Sequence, residues 1–410
     1  MDYYDILLAK KLSGGGGGGS TLINKNITEN GTYNASSDNA DGYKEVVVNV
    51  PTLVASKPLK SINFYDYDGT RVESYTVQEW ANVTQLPNNP VHEGLTSQGW
   101  NYTKAQIDAE LLAQPNVAVN VGQEYITSDG KTRLYCTFYA GRLSPFLAPC
   151  VNGTLEIDWG DGTTSTLTGT SINTVVTSAH TYAKEGDYVI SLNPTNGSFK
   201  LVGDIFRVTA SSTSSNNNRV YTSAIKKVEI GADVVFDAPF KDCASLEYIA
   251  IGKDYSGNTN EFRECRSLKF AIIPKGTEVY NSNFYGCTAL QNVSIPPTVT
   301  KITASAFFGC ASIQQISIPK SCTHIEGSSI RGCESLATIT VPSTVSTLGT
   351  QAFCNSFGLK EIHILATTPP SIESNTFQNI PSDCVIYVPQ SSLTVYQGAT
   401  NWSGLTLQGE

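Results

Sequence analysis

Charged residues and long apolar runs are scarce in this chain. Only 15% of its 410 residues are charged, and the formal net charge is -9. Such a chain has no sequence-wide attraction for phosphate backbones or anionic lipid, so we expect no nucleic-acid partner. No apolar stretch approaches the length that crosses a bilayer, so we expect a soluble chain without membrane insertion. The apolar run Ile6 to Leu8 is too short for the core of a secretion signal, and no Sec export is predicted.

Histidine is also scarce, which argues against several kinds of catalytic site. The four histidines lie in three different predicted modules: His92, His180, His324 and His363. No local sequence assembles a Ser-His-Asp or Cys-His arrangement. DYDG at 66–69 and DWGDG at 158–162 resemble fragments of calcium loops, but both lack the later acidic ligand, so tight turns are expected. We therefore predict no enzyme, no cofactor and no metal site.

The composition indicates a mainly β, multi-domain protein, because Gly, Ser, Thr, Asn and β-branched residues are abundant and the chain is too long for one core. Residues 1–20 are predicted to be an N-terminal peptide with a short helix and a poly-Gly tether, and residues 21–56 a small β-unit. Residues 57–116 predict a hairpin around Asp68-Gly69 and a helix over 103–113 that Thr103 caps. The FYDYDGT…HEG…GW pattern of this segment, within residues 64–100, resembles small β-repeat modules found between domains of Gram-positive surface and phage proteins.

Residues 117–212 contain two motifs in a fixed order, GTLEIDWGDGTTSTL and HTYAKEGDYVISL. The alternation predicts two inward-facing sets of side chains, Leu155, Ile157 and Trp159 on one sheet and Tyr188, Ile190 and Leu192 on the facing sheet. The motif pair resembles the PKD-type immunoglobulin-like domain, whose WGDGT turn and HxY…GxYxVxL strand match residues 159–163 and 180–192. The resemblance implies a β-sandwich.

Residues 213–410 repeat with a period of 22 to 23 residues. Five cysteines share one column, namely Cys243, Cys265, Cys287, Cys310 and Cys333. The period extends from Thr222 through Ser356 to Ile380, which makes eight rungs. Three residues before the column lies a second apolar column: Phe240, Phe262, Phe284, Phe307, Ile330, Phe353 and Phe377. One turn alone cannot bury these side chains, so stacked turns with parallel strands about 4.8 Å apart are predicted to form a solenoid.

The sequence AFFGCASIQQISIP at 306–319 is similar to the AFxGCxSLxxIxIP consensus of the BspA-like leucine-rich repeat family. The resemblance implies a leucine-rich-repeat solenoid with a C-terminal cap over the last 40 or so residues. Cys322, Cys354 and Cys384 lie outside the cysteine column. The cysteines are predicted to be free packing thiols, because a column is a line and a tetrahedral metal site needs four ligands around one point. A disulfide between adjacent rungs is the alternative.

The candidate ligand-binding residues lie five and seven positions after each column residue, where a strand would point outward. The positions chosen as ligand-binding are Tyr248, Phe270, Ile272, Asn292, Gln315, Ser317, Thr338, Glu361 and His363, and Ala250, Ser294 and Thr340 lie on the same predicted face. A nearly uncharged face of aromatics, hydroxyls and amides suits contacts with a glycan or a protein. Solenoid faces of this composition also occur with no ligand at all.

These patterns predict a non-catalytic binding or adhesion protein. The opening peptide, the ENGTY…DGY…VVVNVP unit and the order of the modules resemble structural proteins of phages and prophages of Gram-positive gut bacteria. The resemblance implies a phage virion component, made in the host cytoplasm and acting outside it. We expect its N-terminal part to dock on other virion structural proteins and its solenoid to recognise a cell-surface or mucosal glycan or protein. The alternative is a bacterial cell-surface adhesin exported by a non-Sec route. A glycan-active enzyme with these modules as accessories is the weakest hypothesis. A homo-oligomer is compatible with the first two.

Overall fold

The structure is a computed structural model, and it describes residues 31–33, 46–48, 61–114, 117–212, 215–231, 234–252, 259–273, 276 and 278–410. The chain divides into two compact units, Met1–Leu59 and Lys60–Glu410. In the first unit, β1 (Gly31–Tyr33) and β2 (Val46–Val48) pair antiparallel, within the segment predicted as a small β-unit. The predicted N-terminal helix and poly-Gly tether lie outside the described residues.

The second unit begins with a four-stranded sheet, here called the sheet module (residues 61–127). Its strands are β3 (Ser61–Tyr65), β4 (Arg71–Thr76), β5 (Leu95–Trp100) and β6 (Val119–Thr127), in the order β4-β3-β6-β5. Gly69 closes the predicted β3–β4 hairpin with a φ of 85°, which a side chain would disfavour. The predicted helix spans Lys104–Ala113, and Thr103 caps it in a capping box with Gln106.

A short helix, Val77–Trp80, completes the sheet module. Its core contains Ile62, Phe64, Trp80, Ile107 and Val121. The strand β6 differs from the sequence prediction. Residues 119–127 were assigned to the PKD-like segment, but β6 pairs parallel with β3 and antiparallel with β5. The module therefore extends past the boundary predicted at residue 116.

The strands of residues 132–207, which were predicted to resemble a PKD-type domain, form most of a seven-stranded sheet and a small three-stranded sheet. The strands up to the solenoid are β7 (Thr132–Phe138), β8 (Phe146–Leu147), β9 (Cys150–Asp158), β10 (Thr164–Val175), β11 (Ser178–Ala179), β12 (Gly186–Val202) and β13 (Phe206–Arg207). Leu155, Ile157 and Trp159 are fully buried, as predicted. The facing-sheet prediction is wrong, because β12 pairs directly with β9 in the same sheet and Leu192 lies opposite Ile157.

The solenoid follows a helix, Ser215–Thr222, and has two sets of short parallel strands. The large sheet continues into β14 (Ile225–Glu229), β15 (Val234–Asp237) and β16 (Tyr248–Ala250), in the order β10-β9-β12-β7-β14-β16 with β15 beside β12. The later rungs on that side are β17 (Phe270–Ile272), β19 (Asn292–Ser294), β22 (Thr338–Val341), β24 (Glu361–Ile364), β26 (Val385–Val388) and β27 (Leu407–Gly409). The second side has β18 (Glu278–Val279), β20 (Lys301–Ile302), β21 (His324–Ile325), β23 (Thr347–Leu348) and β25 (Ser371–Ile372).

Both predicted columns lie inside the solenoid. The five column cysteines are completely buried, and all ten cysteines are free thiols. Within the column, each thiol from Cys265 to Cys333 donates a hydrogen bond to the carbonyl oxygen of the phenylalanine one turn earlier, with Cys265 Sγ 3.0 Å from Phe240 O. Ser356 interrupts the cysteine column but donates in the same way to Ile330 O, at 2.9 Å. The column therefore also supplies a hydrogen bond between successive turns.

The phenylalanine column stacks face to face. Ring centroids of successive pairs are 5.4 to 6.0 Å apart from Phe240 to Phe307, and the planes lie within 13° of parallel. Such ladders bury aromatic area with little freedom to shift, so the stack sets the spacing of the turns. A 3-10 turn, Gln390–Ser392, and the helix Leu393–Gly398 close the C-terminal end, where Trp402 donates to Pro370 O at 3.0 Å.

The segment from β7 to β13 and the solenoid share one core. The strand β14 pairs parallel with β16 of the solenoid and antiparallel with β7, with Val228 opposite Leu134. A single cluster of buried apolar side chains runs from Leu134 to Trp402. The boundary predicted at residue 212 is therefore crossed by both a sheet and a core. Within the described ranges, the helices are too short or too polar to span a bilayer.

Candidate binding face

The predicted binding face is the outward side of the rungs β16 to β26, here called the strand face. Its exposure was predicted along its whole length, and that prediction is wrong for the first four rungs. Phe270 and Ile272 are 2% and 6% exposed, Ser317 is 8% exposed, and the neighbouring Ala250 and Ser294 are fully buried. These five buried residues face the sheet module instead of solvent. Tyr248 is half-buried and its ring packs on the Tyr67 ring of the module, 5.8 Å away between centroids. Asn292 and Gln315 are half-buried, as the outward residues of the later rungs are.

The strand β6 and the residues before it cross four successive rungs of the solenoid. Tyr125 N donates to Ile251 O at 3.2 Å on the first rung. On the third rung, Ser294 Oγ donates to Asn120 O at 2.7 Å. On the fourth, Ser317 Oγ donates to Ala118 O. Two residues along β6 and the segment before it thus span about one turn of the solenoid. Because the hydroxyls of Ser294 and Ser317 hydrogen-bond to this segment, both serines have a structural role.

Aromatic packing and a helix end complete the contact. The Tyr65 ring lies 5.0 Å from the Phe270 ring, centroid to centroid. Gly122 approaches Ile272 so closely that a Cβ there would lie 2.6 Å from Ile272 Cγ1. Glycine at residue 122 is therefore required for the close packing. In the helix Lys104–Ala113, Glu110 Oε2 accepts a hydrogen bond from Lys320 N at 2.8 Å.

The hydrogen bonds between the module and the solenoid described above end at Lys320. The rungs that follow keep their outward side chains half-buried, and we name them the free strand face: Thr338, Thr340, Glu361, His363 and Tyr387. Their alternation follows from strands β22, β24 and β26, whose intervening residues, such as Ile339, Ile362 and Ile386, are buried. Three of the predicted binding residues, Thr338, Glu361 and His363, therefore lie in the accessible part.

His363 is the centre of the free strand face. Its ring stacks on Tyr387 with centroids 4.8 Å apart and planes within 10°. Its Nδ1 lies 2.9 Å from Glu410 Oε2, and its Nε2 lies 3.5 Å from Glu361 Oε2. The two carboxylates remain 42% and 33% exposed at Glu361 and Glu410 respectively. The result is an ordered aromatic surface flanked by acceptors and by the hydroxyls of Thr338 and Thr340.

Two members of this surface were missed by the sequence analysis, namely Tyr387 and Glu410. Tyr387 lies seven residues after Ile380, so the same offset that selected His363 would have found it. Glu410 carried no periodic signal, because it follows the cap and reaches the face only through β27, which pairs parallel with β26.

Among the described residues, histidine–carboxylate pairs occur at three places, at His92, His180 and His363. His92 pairs with Asp66 at 2.7 Å, and His180 pairs with Asp161 at 2.9 Å while stacking on Trp159. Within the described part of the chain, none of these imidazoles has a serine, threonine or cysteine as a hydrogen-bond partner. Asp66 and Asp161 belong to the turns compared with calcium loops, and the described residues contain no cluster of metal ligands.

Comparison with known proteins agrees with the repeat architecture. Residues 256–383 match the family model described as a BspA type leucine rich repeat region, in 6 copies, which confirms that resemblance. A leucine-rich repeat protein from Bacteroides ovatus is 24% identical, over 40% of this chain and 45% of that one, with a TM-score of 0.32. A leucine rich cell surface protein from Faecalibacterium prausnitzii is 18% identical, over 45% and 69%, with a TM-score of 0.20. This chain thus spans about half the length of the B. ovatus protein. No curated protein matches.

Proposed function

We propose that this protein is a non-catalytic binding protein whose free strand face recognises a glycan or a protein on a cell or mucosal surface. The observation that carries the proposal is the unequal coverage of the strand face. The sheet module covers the first four rungs, and the face from Thr338 to Tyr387 keeps its polar and aromatic side chains accessible.

The chemistry of the free strand face suits such a ligand. The stacked His363 and Tyr387 rings are held in place by each other and by Glu410, so they lose little side-chain freedom on binding. Carboxylate and hydroxyl oxygens around them can accept or donate hydrogen bonds to sugar hydroxyls or to peptide amides. A face ordered before binding favours affinity because less entropy is lost.

Two settings fit this binding role. One is a bacterial cell surface. The other is a phage virion, in which the N-terminal part would dock on other structural proteins. Mass spectrometry of purified virions and of a bacterial surface fraction distinguishes them, since the protein is expected in only one of the two. Neighbouring tail or lysis genes would favour the virion, and a dedicated secretion system the cell surface.

The binding proposal is tested with the full chain. We expect binding to whole bacterial cells or to a glycan array, and at least about tenfold weaker binding for the double variant Thr340→Lys/His363→Ala, because truncating central contacts of a binding face costs this much or more. Ser335→Lys, an exposed position on a turn of the same rung, is the matched control and should bind as the wild type does. Unchanged binding of the double variant, with its circular dichroism also unchanged, would contradict the proposal.

A further inference from the structure

The strand β10 has an unpaired edge. It is 12 residues long, Thr164–Val175, and stands at the end of the seven-stranded sheet with β9 as its neighbour. The pairing with β9 is regular from Thr164 to Ser171, and the register shifts only between Ser171 and Val175. Among the described strands of Lys60–Glu410, none pairs with the other edge of residues 164–171. A row of backbone N–H and C=O groups is therefore available there.

Edge strands in natural proteins are normally protected by charges, proline, bulges or a covering element. The strand β10 has no charged residue and no proline, and its register shift lies beyond the regular part. By comparison, the edge strand β4 of the sheet module in the same chain carries two charged residues, Arg71 and Glu73. An unprotected edge of this length indicates a surface that is normally paired.

The threonines along this edge are arranged symmetrically about one residue. Four exposed threonines alternate along one face of the strand: Thr164, Thr166, Thr168 and Thr170. They are symmetric about Leu167. When two such strands run antiparallel around that residue, Thr164 comes opposite Thr170 and Thr166 opposite Thr168. Opposed threonines stabilise an antiparallel pair, and no like charges face each other.

We propose that β10 pairs antiparallel with β10 of a second copy of this chain, around a twofold axis at Leu167, and joins the two seven-stranded sheets into one. We commit to a second copy of the chain because the threonines are symmetric about Leu167, so that antiparallel self-pairing places threonine opposite threonine at 164/170 and 166/168. The pairing does not depend on the proposed ligand binding. It would present two free strand faces on one particle.

The first test is sedimentation of the full chain. We expect a dimer for the wild type, and a dissociation constant raised at least about tenfold for Thr166→Lys/Thr168→Lys, which places lysines opposite lysines across the axis. Thr195→Lys/Asn196→Lys is the matched control, because both residues are exposed on β12, which β9 separates from the edge strand β10. It should dimerise as the wild type does. A monomeric wild type, or a dimer equally weakened by the control, would overturn the proposal.

The second test fixes the register. All ten native cysteines are buried, so a cysteine introduced on β10 is the accessible thiol for mild oxidation. In Thr166→Cys/Thr168→Cys, the two copies should form disulfides between position 166 of one and position 168 of the other, since opposed Cβ atoms in an antiparallel pair are about 5 Å apart. Cysteines introduced instead at 195 and 196 should not cross-link the two copies. A dimer whose 166 and 168 thiols stay unlinked would contradict pairing around Leu167.

Discussion

Replacing Phe270 by alanine tests whether the sheet module covers the strand face. The Phe270 side chain is 2% exposed and packs on the Tyr65 ring at 5.0 Å. Removing a buried phenyl ring costs about 3–5 kcal/mol, through lost burial and the cavity left behind. If Phe270 were exposed, as the sequence predicted, the free energy of unfolding would change by only about 0.5 kcal/mol. The loss of unfolding free energy expected for a covered Phe270 is therefore several times larger than the loss expected for an exposed one.

Urea denaturation followed by tryptophan fluorescence measures the loss. Phe357→Ala is the matched control, because that phenylalanine is 57% exposed on a solenoid turn and its removal should have little effect. A double-mutant cycle with Tyr65→Ala then isolates the ring contact, for which we expect a coupling of about 0.5–1.5 kcal/mol. A Phe270→Ala variant no less stable than Phe357→Ala would refute the covered face, and a coupling near zero would refute the Tyr65 contact.

Three further predictions concern burial and backbone conformation. Burial raises the pKa of Cys333 to about 12 and of Cys322 to about 11. The native thiols should therefore not react with Ellman's reagent at pH 8, and rapid labelling of the folded chain would contradict this expectation. The stability that these buried thiols contribute should be lost as the pH rises above the ordinary thiol pKa. Burial also raises the pKa of Glu110, so the stability that this side chain contributes is complete below the ordinary glutamate pKa and is lost as the pH rises through the raised value. Glu110→Gln should therefore stabilise the chain by on the order of 1 kcal/mol at neutral pH and not in acid. A variant that is less stable at pH 7 would show that the carboxylate is required. Gly309→Ala should cost about 1–2 kcal/mol in thermal unfolding because φ is +71°, while Gly404→Ala, with open space and no positive φ, should be nearly neutral; equal effects would argue against backbone strain.

The solenoid could be predicted because each turn repeats the same physical requirement. Buried side chains recur at fixed offsets, and a one-residue slip would expose Phe284 or Cys287, so the period determines which residues face inward. The helix after Thr103 was predictable for a local reason, since Thr103 and Gln106 form the capping box by themselves.

The covering of the strand face could not be predicted from such local rules. The contact joins Asn120 to Ser294 and Tyr65 to Phe270, which are far apart in sequence and share no period. The apolar outward positions Phe270 and Ile272 were a valid signal of a partner, but the partner is the same chain. The strand β6 also lacks the alternation of a half-exposed strand, since nearly all its residues are buried. Likewise, alternation gave the inward residues of β9 and β12 but could not show that they share a sheet.

The hydrogen-bonded pairing of β7 with β14 determines how this protein can be dissected and recombined. A fragment starting at residue 213 would carry β14 with one edge newly bare and Val228 without its neighbour Leu134. Such a fragment is prone to aggregate, because both the edge and the apolar surface under it would meet other chains. Repeats before Lys320 cannot be exchanged without their contacts to the sheet module, and a graft at the N-terminal end of the solenoid has to bring Thr132–Phe138 with it.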